Sequence, residues 1–239
     1  KKSVFIAEKP SVAQEFAKAL KVKTTRHDGY LESENTIVTW CVGHLVTMSY
    51  PEVYDIKYKR WTLETLPFLP GEFKYEVIPA VRKQFEIVSG LLNRADVETI
   101  YVCTDSGREG EYIYRLVAQM AGVKGKKEKR VWIDSQTEEE IIRGIKEAKD
   151  LSAYNNLSAS AYLRAKEDYL MGINFSRILT LRYGNSVSNY LGNKYQVISV
   201  GRVMTCVLGM VVRREREIRE FVKTPFYRVL GKFSLEGRS

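Results

Sequence analysis

The stretch Thr99-Ile100-Tyr101-Val102-Cys103-Thr104-Asp105-Ser106-Gly107-Arg108-Glu109-Gly110-Glu111 decides the fold class. Its first six residues are β-branched, aromatic or apolar, a continuous run of the kind found in strands buried on both faces. The run ends at Asp105-Ser106-Gly107, and a helical pattern is expected from about Glu109 to Met120. Strand, tight turn and helix in direct succession are the building unit of a parallel α/β sheet.

The same grammar extends outward. Ser3-Val4-Phe5-Ile6-Ala7 reads as a strand closed by Glu8-Lys9-Pro10-Ser11, and Val12, Phe16, Ala19 and Leu20 then recur at helical spacing. Thr36 to Val42 reads as another strand, closed by Gly43-His44. Residues 51–75, with Pro51, Pro67 and Pro70, read as a long irregular connection, and residues 80–93 as a helix. Lys124 to Arg130 reads as a basic surface turn and Val131-Trp132-Ile133 as a strand. Thr137-Glu138-Glu139-Glu140 is a capping box opening a helix over 138–148. After Asp150 the strand pattern stops: 152–183 and 199–219 read as helices, and Phe226 to Leu235 as one new strand. The expected plan is a mostly parallel, Rossmann-like sheet flanked by helices over 1–150, a smaller helical domain over 151–222, and the start of a further β-containing domain over 223–239, where the chain is expected to break off.

Length and charge narrow the function classes. At 239 residues the chain has enough material for a substantial core without metal or disulfide staples. No window supplies the ~20 apolar residues of a membrane span, and Glu8 interrupts any signal-peptide core, so a cytoplasmic protein with no membrane attachment is expected. Three scattered cysteines make neither a disulfide framework nor a zinc ribbon. Of the net charge of +9, residues 1–150 carry only +1, with 24 Lys/Arg against 23 Asp/Glu. The last 89 residues carry the other +8, which points one part of the molecule toward a polyanion.

The candidate chemistry is carboxylate chemistry. Glu8 follows one predicted strand, and Asp105, Glu109 and Glu111 follow another, at the strand ends where open α/β sheets build ligand sites. Were the two strands neighbours, Glu8, Asp105 and Glu109 would converge. Such clusters repel unless a cation holds them, and an all-oxygen set with few protein donors suits Mg²⁺ completed by a phosphate. The competing reading is a helix N-terminus decorated with acids that favour its dipole.

These residues resemble a known family. Glu8-Lys9-Pro10-Ser11 after the first strand and Thr104-Asp105 through Glu109-Gly110-Glu111 after a later one are similar to the toprim domain of type IA DNA topoisomerases. Gly43-His44-Leu45 resembles the family's Gly-His-Leu segment, and Lys59-Arg60-Trp61 with Leu66-Pro67-Phe68 resembles a stretch typical of the topoisomerase III branch. Arg164 to Asp168 with Gly172-Ile173-Asn174 resembles the helix of the adjoining domain. Ser199-Val200-Gly201-Arg202-Val203-Met204-Thr205 resembles the Ser-x-Gly-Arg-Val-x-Thr signature, which primases and nucleases sharing the toprim motif lack. The resemblance implies cleavage of single-stranded DNA through a transient phosphotyrosine, strand passage and resealing, with Mg²⁺ and without a nucleotide cofactor, by a monomer. It implies that Glu8 exchanges a proton with the leaving 3′ oxygen, that Lys9 neutralises the scissile phosphate, and that Glu8, Asp105 and Glu109 hold the metal. It further implies that Arg164, Asp168, Ser199, Arg202 and Thr205 line the DNA groove.

Two departures qualify that expectation. Gly107 stands where the family's cluster has its middle Asp, which predicts weak Mg²⁺ binding, with Glu111 a partial substitute at best; Met204 and Cys206 replace the usual Gln and Pro. None of the fifteen tyrosines lies in the Tyr-Pro-Arg-Thr-Asp context of the family's nucleophile, so this stretch of chain is expected to bind DNA without relaxing it. A toprim-type nuclease or primase, or a noncatalytic DNA-binding module, are the alternatives. Outside these motifs, His27 reads as loop surface, His44 as a positioned hydrogen-bonding residue, and Trp40, Trp61 and Trp132 as packing.

Overall fold

The computed structural model describes residues 1–237. It divides into two compact units, Lys1–Ser199 and the segment from Val200 onward.

The first unit is an α/β sheet followed by a long helix. Its strands are β1 (Lys2–Ala7), β2 (Thr25–His27), β3 (Tyr30–Glu32), β4 (Thr36–Trp40), a separate hairpin of β5 (Val46–Met48) and β6 (Tyr75–Val77), then β7 (Val97–Cys103), β8 (Lys127–Arg130) and β9 (Lys149–Asp150). The helices are α1 (Pro10–Leu20), α2 (Arg82–Leu92), α3 (Arg108–Ala121), α4 (Glu138–Lys146) and α5 (Asn155–Leu191). The seven-stranded sheet has the order β2-β3-β4-β1-β7-β8-β9. Its centre, β4-β1-β7-β8, is parallel, and antiparallel strands close both edges. The mostly parallel, helix-flanked sheet read from the Thr99–Glu111 pattern is therefore present.

Side-chain alternation along β1 divides the core into two layers. Val4 and Ile6 face a layer built with Phe85 and Val88 of α2 and Ile113, Leu116 and Val117 of α3. Phe5 and Ala7 face the opposite layer, with Val12, Ala13 and Phe16 of α1 and Ile141 of α4. The chain leaves β1 toward β4 on one side and returns as β7 on the other, so strand order reverses between β1 and β7. Crevices at such reversals, at the carboxyl ends of the strands, are where open α/β sheets bind ligands.

Several local expectations are corrected. The fourth strand of the parallel centre is Lys127–Arg130, inside the run read as a basic turn, whereas Val131-Trp132-Ile133 lies just past it. The strand carries no apolar signature, because its exposed end is lysine-rich and its wholly buried residue is Arg130. The short strands β2, β3, β5 and β6 carry too few residues to show a period. Thr137 does cap α4, its Oγ1 accepting from the Glu140 N–H, but the Glu140 carboxylate turns to the Asp134 N–H and Arg143 instead of closing the box. The helix read over 152–183 continues as α5 through Leu191.

In the second unit α6 spans Arg202–Arg219. The strand expected over Phe226 to Leu235 is absent: residues 226–234 have no regular structure and only Leu235 forms an isolated bridge. Its alternating pattern was sound, but a strand needs a pairing partner to form. Arg238 and Ser239, within the stretch assigned to a further domain, lie outside the described residues.

Candidate active site

Three loops meet at the carboxyl ends of β4, β1 and β7. The β1–β7 register sets Ala7 opposite Cys103, so Glu8 emerges beside Thr104 and Asp105. The Gly43 N–H, in the loop after β4, donates to the Glu8 carbonyl at 3.1 Å. The Asp105 N–H donates to Glu8 Oε1 at 3.3 Å. Glu8 is 8% exposed. Burial, and after it the negative charge of Asp105, push its carboxyl above the ordinary range, against the opposing pull of the Asp105 N–H and the Lys9 ammonium. Lys9 is exposed at the N-cap position of α1.

Glu109 takes a different partner. Its Oε1 lies 2.6 Å from His44 Nε2, and the His44 ring packs edge-on against Tyr112. The structure thus brings Glu8 and Asp105 together and ties Glu109 to His44. Among the described residues no group of three or more His, Cys, Asp or Glu side chains is arranged to hold a metal. Gly107, in extended backbone at the N-cap of α3, supplies no carboxylate where a third could stand. Glu111 does not substitute for it. It is fully buried, with Oε1 accepting from Arg115 and Oε2 from Arg130.

The donor set fits a hard cation with a small share of protein ligands. The Glu8 carboxyl, raised first by burial and then by the negative charge of Asp105 beside it, lies where an added positive charge would offset both. A cavity of about 200 Å³ opens on the side of Asp105 lined by Thr104, Ser106, Asp134 and Ser135 together with the apolar Val12, Cys103 and Ile133; Glu8 does not line it. Thr104 Oγ1, next to the acidic pair, is the one buried side-chain polar atom with no partner among the described residues.

The other motif residues sort by place. Arg164, half-buried, and Asp168, exposed, sit one turn apart on α5 and so share a face. Ser199 is exposed at the end of the first unit. In the second unit Arg202 opens α6, and Thr205 Oγ1 accepts from the Gly201 N–H, closing the turn that starts the helix. Two motifs prove to be structural. Asn174 exchanges hydrogen bonds with the Phe68 backbone, its Oδ1 accepting at 2.6 Å and its Nδ2 donating at 3.0 Å, and so stitches the proline-rich connection to α5. Arg177 donates to the Tyr58 carbonyl and stacks over Trp61. Trp132 stacks on Tyr154. A cleft of about 420 Å³ beside His44, walled by Met48, Tyr50, Tyr112, Tyr169 and Ile173, was not legible in the sequence, because β5, α3 and α5 contribute to it from distant segments.

Comparison with known proteins gives the family. The family model of the toprim domain matches residues 3–135, more than half of the chain. The chain belongs to the toprim family. A second family model, DNA topoisomerase, matches residues 152–239. A DNA topoisomerase 3 of Bacillus thuringiensis (strain Al Hakam) is 43% identical over 226 residues, 95% of this chain and 29% of that protein. The DNA topoisomerase 3 of Bacillus subtilis (strain 168) is 40% identical over the same share. That of Shouchella clausii (strain KSM-K16) is 42% identical over 96% of this chain and 30% of its own length. The chain therefore spans about three-tenths of the curated relatives it matches, and its resemblance to type IA topoisomerases of the topoisomerase III branch extends over nearly all of its length. Among the described residues no helix is long and apolar enough to cross a membrane.

Proposed function

We propose that this chain supplies the acidic centre and part of the single-strand groove of a type IA DNA topoisomerase of the topoisomerase III branch. Such an enzyme is a monomeric, cytoplasmic protein that needs Mg²⁺ and no nucleotide cofactor, and it cleaves, passes and reseals single-stranded DNA. The observation that carries the reading is the contact of Glu8 with Asp105 where strand order reverses.

The chemistry follows from that contact. A carboxyl held above its ordinary range by burial keeps a proton longer as pH rises, which suits Glu8 to give one to the leaving 3′ oxygen and take it back on resealing. Lys9, beside it and exposed, is proposed to neutralise the scissile phosphate. Mg²⁺, held by Glu8 and Asp105 with Glu109 joining if it leaves His44, would supply positive charge against the phosphate. Arg164, Asp168, Ser199, Arg202 and Thr205 are proposed to contact the strand, and the aromatic-walled cleft beside His44 has the apolar character that receives an unpaired base. With no tyrosine in the family's nucleophile context, the 239-residue chain is proposed to bind DNA without relaxing it.

The test uses the purified chain with a labelled single-stranded oligonucleotide and the matching duplex. Fluorescence anisotropy is expected to show preference for the single strand, strengthened by Mg²⁺ in the wild type but not in Glu8→Ala/Asp105→Ala. Arg202→Ala should flatten the log–log salt dependence by about 0.7, the share of one phosphate contact. Mg²⁺ enhancement that survives the double substitution would remove the acidic pair from the function, and Mg²⁺-dependent nicking of plasmid would favour the nuclease alternative.

A further inference from the structure

Arg130 is the largest side chain in the core with no exposure at all, and its charge is wholly consumed. Nε donates to Glu111 Oε2 at 2.7 Å. Nη1 donates to the carbonyls of Thr104 at 2.7 Å, Val131 at 3.1 Å and Val102 at 3.2 Å. Nη2 donates to the Asp105 carbonyl at 2.7 Å. A single planar guanidinium therefore grips the backbone on both residues that turn β7 into the acidic loop. Glu111, the counter-charge, is fixed in turn by Arg115, whose Nη2 donates to the Leu151 carbonyl and whose Nη1 donates to Asn155 Oδ1 at the start of α5. From the far side Ser106 Oγ accepts from the Ile133 N–H at 2.9 Å.

We infer that Arg130, with Glu111 as its counter-charge, is a positioning residue of the acidic centre: it holds the Asp105 backbone at the place where the Asp105 N–H meets Glu8. The inference rests on the reading of Glu8 and Asp105 as the metal-holding pair. The physical reason is the fit of the group to its task. Carbonyls at a strand end that turns into a loop lose their sheet partners, and buried carbonyls without partners are costly. A guanidinium presents five donors in a rigid fork and can satisfy several at once, whereas an ammonium on a flexible stem cannot span them. The arrangement also accounts for a charged pair in the core where an apolar pair would serve stability as well. Glu111 belongs to the same acidic stretch as Asp105 and Glu109, yet its work is on the loop, at one remove from the cation.

The experiment compares three proteins by nuclear magnetic resonance: the wild-type chain, Arg130→Lys, and the double variant Arg130→Met/Glu111→Met. The double variant removes both buried charges together and so avoids leaving one unpaired, and Arg115 keeps Leu151 and Asn155. Arg130→Lys keeps the charge opposite Glu111 but gives up the carbonyl grip. In both variants hydrogen exchange of the Asp105 amide should accelerate while the amides of the β5–β6 hairpin keep their rates. Mg²⁺, titrated and followed at the Asp105 amide, should bind about tenfold or more weakly, as when a supporting partner of a metal ligand is lost. A folded variant with unchanged Asp105 exchange and unchanged Mg²⁺ affinity overturns the inference. So does uniform acceleration at every amide, which marks a general stability role. Failure of the wild type itself to bind Mg²⁺ would instead refute the reading of the acidic pair, and the exchange comparison would still decide whether Arg130 positions the loop.

Discussion

Gly110→Ala is the perturbation that most directly tests how tightly the acidic loop is packed against α3. A Cβ built on Gly110 falls 2.0 Å from the Asp105 carbonyl oxygen and 2.8 Å from both the Asp105 carbonyl carbon and its nitrogen. All three are backbone atoms, so no side chain can swing aside. Bringing the 2.0 Å contact up to 3.0 Å, the smallest separation real Cβ atoms show, requires the loop or the helix start to move by about 1 Å. Overpacking of that kind costs about 1–3 kcal/mol, and the better helix propensity of Ala returns about 0.8–1 kcal/mol. The net expectation is a loss of up to about 2 kcal/mol in urea-unfolding free energy. Gly107→Ala is the internal control, because its Cβ meets nothing within 4 Å and its backbone is extended. It should stay within about 0.5 kcal/mol of the wild type. The second readout is Mg²⁺ binding, which should weaken in Gly110→Ala because the Asp105 backbone is what moves. A Gly110→Ala protein as stable as Gly107→Ala and with wild-type Mg²⁺ affinity would show that the loop yields freely, and the argument from close packing would fail.

Two further outcomes follow from the same geometry. Gly107→Asp should fold normally, gain a few tenths of a kcal/mol from an N-cap carboxylate, and bind Mg²⁺ more tightly than the wild type by calorimetry; unaltered affinity would mean that a carboxylate at 107 does not reach the cation. Glu8→Gln should raise the thermal midpoint at neutral pH, because a carboxyl lifted by burial contributes its stability below its ordinary value of 4.5 and loses it as pH rises through the higher folded value. The gain should shrink as the pH is brought below 4.5, and an equal loss of stability at pH 4 and pH 7.5 would contradict the assignment of burial as the dominant cause.

The elements with strong periods were legible without coordinates. The Thr99–Thr104 run, the Val12–Leu20 spacing and the Thr137 cap each encode local structure in local chemistry, and β7, α1 and α4 stand where they indicate. Legibility failed where a residue's role is set by its neighbours in space. Arg130 reads as surface by composition because charge buries only when paired, and its partners, Glu111 and the Val102, Thr104 and Asp105 carbonyls, lie 19 to 28 residues away. Phe226 to Leu235 alternates as a strand should, yet pairs with nothing among the described residues beyond one bridge.

The acidic centre divides the same way. The sequence alone determined that Glu8 and Asp105 each follow a buried strand, since alternation and turn chemistry are properties of consecutive residues. Only the tertiary structure decided that those strands are adjacent, that Glu109 turns to His44, and that Glu111 works inward on Arg130. Strand order and side-chain partnership depend on contacts across tens of residues of chain, and no local pattern carries the energy of a contact not yet made.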